Sequence, residues 1–407
     1  MEAGKPGWND ALNGLPGLFG SSSSECADLY LLLNRLQNWC TEPEYTLPAA
    51  LADFCRSLAA LAREHSLCKE PSLQFWRESL KLRERWREAV YSAEADLSPA
   101  VVDNKFVKSV LEALSGLVKN GFARAVNARG MLDTYFINEP VFDACASPLS
   151  EDGVIGFKRR ALPLFLEGQA KLLRLPDTDA VRLCRAVDGS GLFDMGLNMY
   201  RLCAPLEGES MELGRIRAFS PGIFERESVF LHAELKYLLA LFDSGLYPEF
   251  FERLKTVLPP FLDPEVYGRS TMENCSYIVS SAHPDSNLHG RGFQPRLSGS
   301  TAEMLSLWQR MFLGRKMFYM DKGELCFEPR PVLAGWFFRR GGFLSFRYLN
   351  CDFEYLNVSR RNTYGENSVS VLRVMADGET MPNGTLRGAA AVKLRNKGLG
   401  RLTVEFA

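Results

Sequence analysis

Apolar positions recur at helical spacing over much of the first two thirds of the chain and at strand spacing only near its end. The first helical run extends to about residue 39 and follows Ser22-x-x-Glu25, a spacing with the form of a capping box. A second covers about residues 48–66, with Leu51, Phe54, Leu58, Leu61 and Ala62 on one side. Over residues 73–93, Trp76, Leu80 and Trp86 make an apolar stripe. Arg77, Glu78, Lys81, Arg83, Glu84, Arg87 and Glu88 fill the rest, as on a solvated face held by i,i+4 pairs. Phe106, Val110, Leu114 and Leu117 predict a helix over 103–119, with Asn120-Gly121 as a stop signal that Phe122 and the residues after it could override. Residues 133–142, richer in aromatic and β-branched side chains, predict a short strand or a substrate-side loop. Residues 148–215 carry no legible motif.

Pro221-Gly222 signals a turn before a helix with Leu231, Leu235, Leu238, Leu239 and Phe242 on one face. Gly245-Leu246-Tyr247-Pro248 breaks that helix and another follows to about Leu258, a hairpin of the kind repeated in all-helical barrels and bundles. From about Phe318 the period changes: Leu344, Phe346 and Tyr348 alternate, as do Phe353 and Tyr355, with turns at Asp377-Gly378, Asn383-Gly384 and Asn396-Lys397-Gly398. The prediction is a mainly α chain with a C-terminal β domain. Helices occupy residues 1–315, and an antiparallel, jelly-roll-like β-sandwich occupies residues 316–407.

Composition narrows the setting. At 407 residues the chain exceeds one ordinary core. Its net charge of -1 supplies no reason to expect nucleic acid or an anionic membrane as partner. No apolar run approaches the roughly 20 residues that cross a bilayer, and no leader pattern opens the chain, so a cytoplasmic protein is expected. The 10 cysteines lack any CxxC pair, which argues against a metal site or a disulfide framework and for reduced, mostly buried thiols.

Candidate chemistry concentrates in two loops. Residues 4–20 hold five glycines and two prolines around Trp8-Asn9-Asp10, an indole, an amide and a carboxylate in a row. Such a set suits a sugar, with an apolar face to stack on and polar groups at its edge. The plainer account is a turn in which Asn9 or Asp10 caps the next helix. Far along the chain, Ser298-Gly299-Ser300-Thr301 leads into an apolar helix, with Arg291 and Arg296 upstream. Hydroxyls and free amides at a helix N-terminus suit an anion, although an ordinary N-cap has the same composition. His232 and Lys236, four residues apart, share a helix stripe, with Glu225 and Glu227 just before that helix.

In their order these stretches resemble the C-terminal half of the cellobiose phosphorylase-like glycoside phosphorylases, glycoside hydrolase family 94 and its relatives. Trp8-Asn9-Asp10 is similar to the family's Trp-Asn-Asp segment, and Pro221-Gly222-Ile223-Phe224-Glu225 with His232-Ala233 to its Pro-Gly-x-x-Glu-Asn followed by His-Ala, with Arg226 at the usual asparagine. Glu273 falls at an active-site glutamate, although Asn274-Cys275-Ser276 replaces Pro-Tyr-Val. Gly290-Arg291-Gly292 and Ser298-Gly299-Ser300 resemble Gly-Arg-Gly and the Thr-Gly-Ser phosphate loop.

The resemblance implies a partial (α/α)6 barrel followed by the β domain. It also implies Asp10 as general acid, Trp8, Asn9, Glu225, His232 and Glu273 in substrate binding, and Arg291, Ser298, Gly299 and Ser300 around phosphate. No cofactor or metal is expected, inorganic phosphate being a co-substrate. Because family members carry half a barrel before the Trp-Asn-Asp loop, the chain is expected to be a fragment, a split enzyme needing a complementary N-terminal chain or a homodimer, or a remnant. The reaction implied is inverting phosphorolysis of a β-linked glucoside or oligoglucan. Two alternatives stand beside it: inverting hydrolysis with Glu225 or Glu273 as base, and a non-catalytic module that binds carbohydrate or a partner.

Overall fold

The computed structural model describes residues 9–66, 73–143, 153–295 and 299–407. Trp8, Arg296 and Ser298 lie outside the described residues. The chain is a mixed α plus β protein divided into two compact units. The first comprises Met1–Ser244, Leu262–Thr271 and Ser276–Gln294, and the second Gly245–Phe261, Met272–Cys275 and Pro295–Ala407.

In the first unit, helices α1 (Ser24–Trp39), α2 (Ala49–Ser66), α3 (Leu73–Tyr91) and α4 (Asn104–Ala123) follow the predicted patterns closely. Asp103 caps α4 by accepting the Phe106 amide at 2.7 Å. The Ser22-Glu25 capping box does not form. The N-cap is Ser23, and its hydroxyl goes instead to the Asp133 carbonyl at 2.7 Å, because a strand passes close by. That strand is β4 (Tyr135–Phe142), the middle of a sheet with β1 (Ser21–Ser22) and β5 (Val154–Ala161). A hairpin of β2 (Glu44–Pro48) and β3 (Pro99–Asp103) brackets α2 and α3. Helix α3 buries no residue fully, as its dense charge predicts.

The stretch without a legible motif holds α5 (Leu166–Leu173), α6 (Ala180–Asp188) and the small hairpin β6 (Phe193–Asp194) and β7 (Met199–Tyr200). Helix α7 (Leu231–Asp243) packs on α5. The predicted helical hairpin partner, α8 (Tyr247–Val257), falls in the second unit, so the pair is not the repeating element of one body. The first unit closes with α9 (Pro264–Tyr267) and a sheet of β8 (Val229–Phe230), β9 (Cys275–Ile278) and β10 (Gly292–Pro295).

In the second unit, α10 (Gly299–Leu313) belongs with the C-terminal sheets, which moves the boundary upstream of residue 316. One sheet joins β11 (Phe318–Asp321), β12 (Glu324–Phe327) and β17 (Leu386–Arg387). The other contains β13 (Phe343–Tyr348), β14 (Cys351–Leu356), β15 (Val371–Ala376), β16 (Glu379–Thr380) and β18 (Arg401–Phe406), in the order β13-β14-β18-β15-β16. The β14–β18 pair is parallel. The antiparallel jelly-roll expectation is corrected to this extent: helix α11 (Ala389–Arg395) precedes β18 and returns the chain to run beside β14. Buried Phe327, Phe353, Tyr355, Leu402 and Val404 lie on these strands.

Eight described cysteines are free thiols, five of them buried. Among the described residues, no helix is long and apolar enough to cross a membrane, and no group of acidic, histidine or cysteine side chains could hold a metal ion.

Candidate functional site

The opening loop is anchored by its apolar residues. Ala11, Leu12 and Leu15 sit in a core with Tyr135, Phe165, Leu206, Leu213 and Ile216. Gly14 passes so close to the Glu212 carbonyl that any Cβ would collide with it. The Gly14 amide donates to the Leu213 carbonyl at 3.1 Å, and the Arg215 amide to the Asn13 side-chain oxygen at 2.9 Å. Asn9 caps a single 3-10 turn, Asp10–Leu12, through its Oδ1, so the plainer account of this residue holds. Its Nδ2 is buried and has no hydrogen-bond partner among the described residues. Asp10 itself is exposed, and the Arg215 guanidinium donates to its backbone carbonyl at 3.1 Å.

Glu225 is presented by a strained turn. Phe224 and Glu227 both occupy left-handed backbone, at φ 49 and 58, a conformation that costs a non-glycine residue about 1–3 kcal/mol. Arg226 holds the turn in that shape. Its guanidinium donates to the Phe219 carbonyl at 2.8 Å and the Arg217 carbonyl at 3.3 Å, and pairs with Glu227 at 3.4 Å and Glu207 at 3.5 Å. The long side chain thus reaches back into its own loop as a structural clamp. Burial first, and then repulsion from Glu207, raise the Glu227 carboxyl above the usual range, with Arg226 pulling the other way. Cys203 beneath the turn is pushed up to about 12 by burial, which leaves it a thiol and no nucleophile at neutral pH.

A second loop locks onto this turn. The Ser280 amide donates to Gly222 at 3.1 Å and its hydroxyl to the Glu227 carbonyl at 2.6 Å. The Ser281 amide donates to Asp194 at 2.7 Å. Asp194 is fully buried and also accepts from Gly196, Leu197 and Arg201, so one carboxylate ties residues 194–201 to residues 280–283. The same loop continues through His283 and His289 to Arg291, which is exposed. His232 lies half-buried in the first turn of α7, one turn before Lys236. Sequence reading missed Asp194 and Arg226 as the organisers here, because three of the four groups that Arg226 grips and one donor to Asp194 lie well outside their local windows.

In the second unit, half-buried Glu273 precedes Asn274, and it is Asn274 that meets the start of α10. The buried Asn274 side chain donates through Nδ2 to Thr301 Oγ1 at 3.1 Å, in the first turn of the helix whose N-terminus carries Gly299 and buried Ser300. Asn274 Oδ1 is buried and has no partner among the described residues. A separate cleft of about 920 Å³ in this unit is lined by Glu328, Arg330, Arg373, Thr380, Asn383 and Glu405 among others, and none of the sequence-predicted residues lines it. Neither a protein-family model nor a curated protein matches this chain.

Proposed function

We propose that the chain carries the phosphate-side and sugar-side loops of an inverting glycoside phosphorylase. The observation that supports this reading best is the start of α10. Gly299, Ser300 and Thr301 open a helix of 15 residues, whose first-turn amides and dipole favour an anion. Beside them stands a buried amide oxygen, Asn274 Oδ1, that lacks a donor among the described residues. A singly protonated phosphate offers both the negative oxygens that the helix terminus attracts and the O–H that this oxygen lacks. Leaving such a group unsatisfied costs about 1–3 kcal/mol, so a ligand that satisfies it recovers that amount.

In the proposed reaction Asp10 donates its proton to the glycosidic oxygen while phosphate attacks the anomeric carbon from the opposite face. The C–O bond to the leaving sugar breaks, that sugar departs as an alcohol, and the product is a sugar 1-phosphate of inverted configuration. Asp10 is exposed, and a bound sugar is what would exclude water from around it. Asn9 Nδ2, a buried donor without a partner among the described residues, and Glu225 on its clamped turn are the groups assigned to sugar hydroxyls, with His232 and Glu273 as further contacts. Under this reading the helices belong to an (α/α)6-type barrel, and the C-terminal sheets are a closing β domain in which the parallel β14–β18 pair departs from a jelly roll.

Incubation of β-linked gluco-oligosaccharides with and without inorganic phosphate, followed by phosphorus NMR, tests the proposal. Sugar 1-phosphate formed only with phosphate, and lost by about 10²–10⁴-fold in Asp10→Asn, is the expected result. Free sugar released equally without phosphate would make the chain a hydrolase. Oligosaccharide binding without turnover, alone or with a complementary chain, would make it a binding module.

A further inference from the structure

One side of the five-stranded sheet ends in β13, whose outer edge has no neighbouring strand among the described residues. The Asn357 amide donates to the Gly342 carbonyl at 2.8 Å, and this bond fixes the alternation that follows. Leu344, Phe346 and Tyr348 turn their backbone groups toward β14, and Phe343, Ser345 and Arg347 turn theirs outward. The Phe343 carbonyl accepts the Arg339 amide at 2.9 Å, while no hydrogen bond among the described residues reaches the outward groups of Ser345 and Arg347. A six-residue open edge is a template for another strand; the opposite edge, β16, has only two residues.

Four arginines crowd the start of this edge. Arg339 and Arg340 precede β13, Arg360 and Arg361 follow β14, and the two loops are tied by the Asn357 amide to Gly342 and by Asn357 Nδ2 to the Arg361 carbonyl at 2.7 Å. All four side chains are exposed, and none pairs with a carboxylate among the described residues. Arg347, on the strand, has only a loose exposed pairing with Asp352 at 3.6 Å. Phe343 at 58% and Val358 at 73% exposure flank the cluster. An arginine on an edge strand discourages self-pairing, which accounts for Arg347 but not for two further pairs on adjoining loops. The same repulsion rejects a second copy of this edge and selects an acidic one.

We propose that β13 accepts an extended, carboxylate-rich segment of another protein as an added strand, with Arg339, Arg340, Arg360 and Arg361 gripping its acidic side chains. This inference is independent of the glycoside reading. A peptide supplies the alternating donors and acceptors that the edge requires, whereas a phosphodiester backbone supplies acceptors alone. The nearby indole is also closed to base stacking: Phe337 stacks on Trp336 at 4.1 Å, and Lys255 sits over its ring at 4.4 Å.

The test is fluorescence anisotropy with the full chain and a labelled peptide alternating glutamate and threonine. The same peptide with glutamine for glutamate and a labelled single-stranded DNA serve as comparisons. Ser345→Pro removes one outward N–H and leaves the β14 ladder intact, a position where an edge strand tolerates proline. We expect saturable binding of the acidic peptide, weakened about tenfold or more by Ser345→Pro, by the Arg339→Ser/Arg340→Ser pair and by the glutamine replacement. Absence of saturable binding, equal affinity in Ser345→Pro, or preference for DNA overturns the proposal. Should Ser345→Pro fail to fold, hydrogen exchange of the Ser345 and Arg347 amides in the native chain decides: protection on adding the peptide supports an added strand, and unchanged exchange overturns it.

Discussion

Asp194 and Glu167 are both buried carboxylates of the first unit, yet they end on opposite sides of their ordinary range. Burial pushes Asp194 up more than any other single influence. Hydrogen bonds from Ser281 and Leu197 and the charge of Arg201 together outweigh it, and the carboxyl is held below the usual range. Glu167, in the first turn of α5, has one short partner, the Tyr135 hydroxyl at 3.0 Å. Burial first and Glu25 second push its carboxyl up to about 7, and Tyr135, Lys171 and Lys236 offset only part of that. Lys171 is itself engaged by Asp28, which dilutes its pull on Glu167. Enclosure alone does not set the charge of a buried acid; the number of donors aimed at it does. Around Asp194 the fold supplies those donors and joins two candidate-site loops, and around Glu167 it supplies a proton-binding position.

The contrast breaks most visibly at Asp194. Asp194→Ala leaves the Arg201 guanidinium and three amides without their acceptor and is expected to cost about 3–5 kcal/mol in urea unfolding at pH 7. A loss below about 1 kcal/mol would mean that the loops are held by other contacts. The next effect is pH-dependent. Unfolded, the Glu167 carboxyl ionises near 4.5; folded, near 7. Between those values the folded chain keeps a proton that the unfolded chain has released. Stability from this group is therefore complete below about 4.5, declines by about 3 kcal/mol as pH rises to 7, and stays low above. In Glu167→Gln this decline should disappear, as seen by comparing unfolding curves at pH 5 and pH 8.

Smaller changes sharpen the same comparison. Tyr135→Phe removes the single short donor to Glu167, so the midpoint of that carboxyl should rise further, with a loss of about 1 kcal/mol at pH 8. Glu25→Gln removes the repelling neighbour and should move the midpoint down toward the ordinary glutamate value. Carbon-13 NMR titration of the Glu167 carboxyl reads both shifts, and movement in the same direction for the two variants would refute the account.

Local pattern carried the helices a long way. The ends of α1, α2 and α3 and the start of α4 lie within a residue or two of expectation, because apolar spacing, Asp103 as a cap and clusters of breakers act within a few residues of one another. Chemistry was legible as places and not as arrangements. Asn9 was rightly suspected as a turn-capping residue, but nothing in the residues around Asp10 indicates that its side chain stands in solvent. Arg226 was legible only as a departure from a family pattern, and its role as the clamp of the Glu225 turn needs the carbonyls of Arg217 and Phe219 to be in reach.

By itself the amino-acid order determined α1 to α4, α7 and α8 and the alternation of β13 and β14, and which loops gather polar residues, while α5, α6 and α11 left no readable trace in it. Tertiary structure alone decided that β18 runs parallel to β14, that Asp194 gathers an amide from 87 residues away, and that burial pushes the Glu167 carboxyl up to about 7. The physical reason is range. Backbone propensity and capping are short-range and leave a periodic trace. Strand pairing and the ionisation of a buried group depend on which distant atoms end up beside them, and no local window records that.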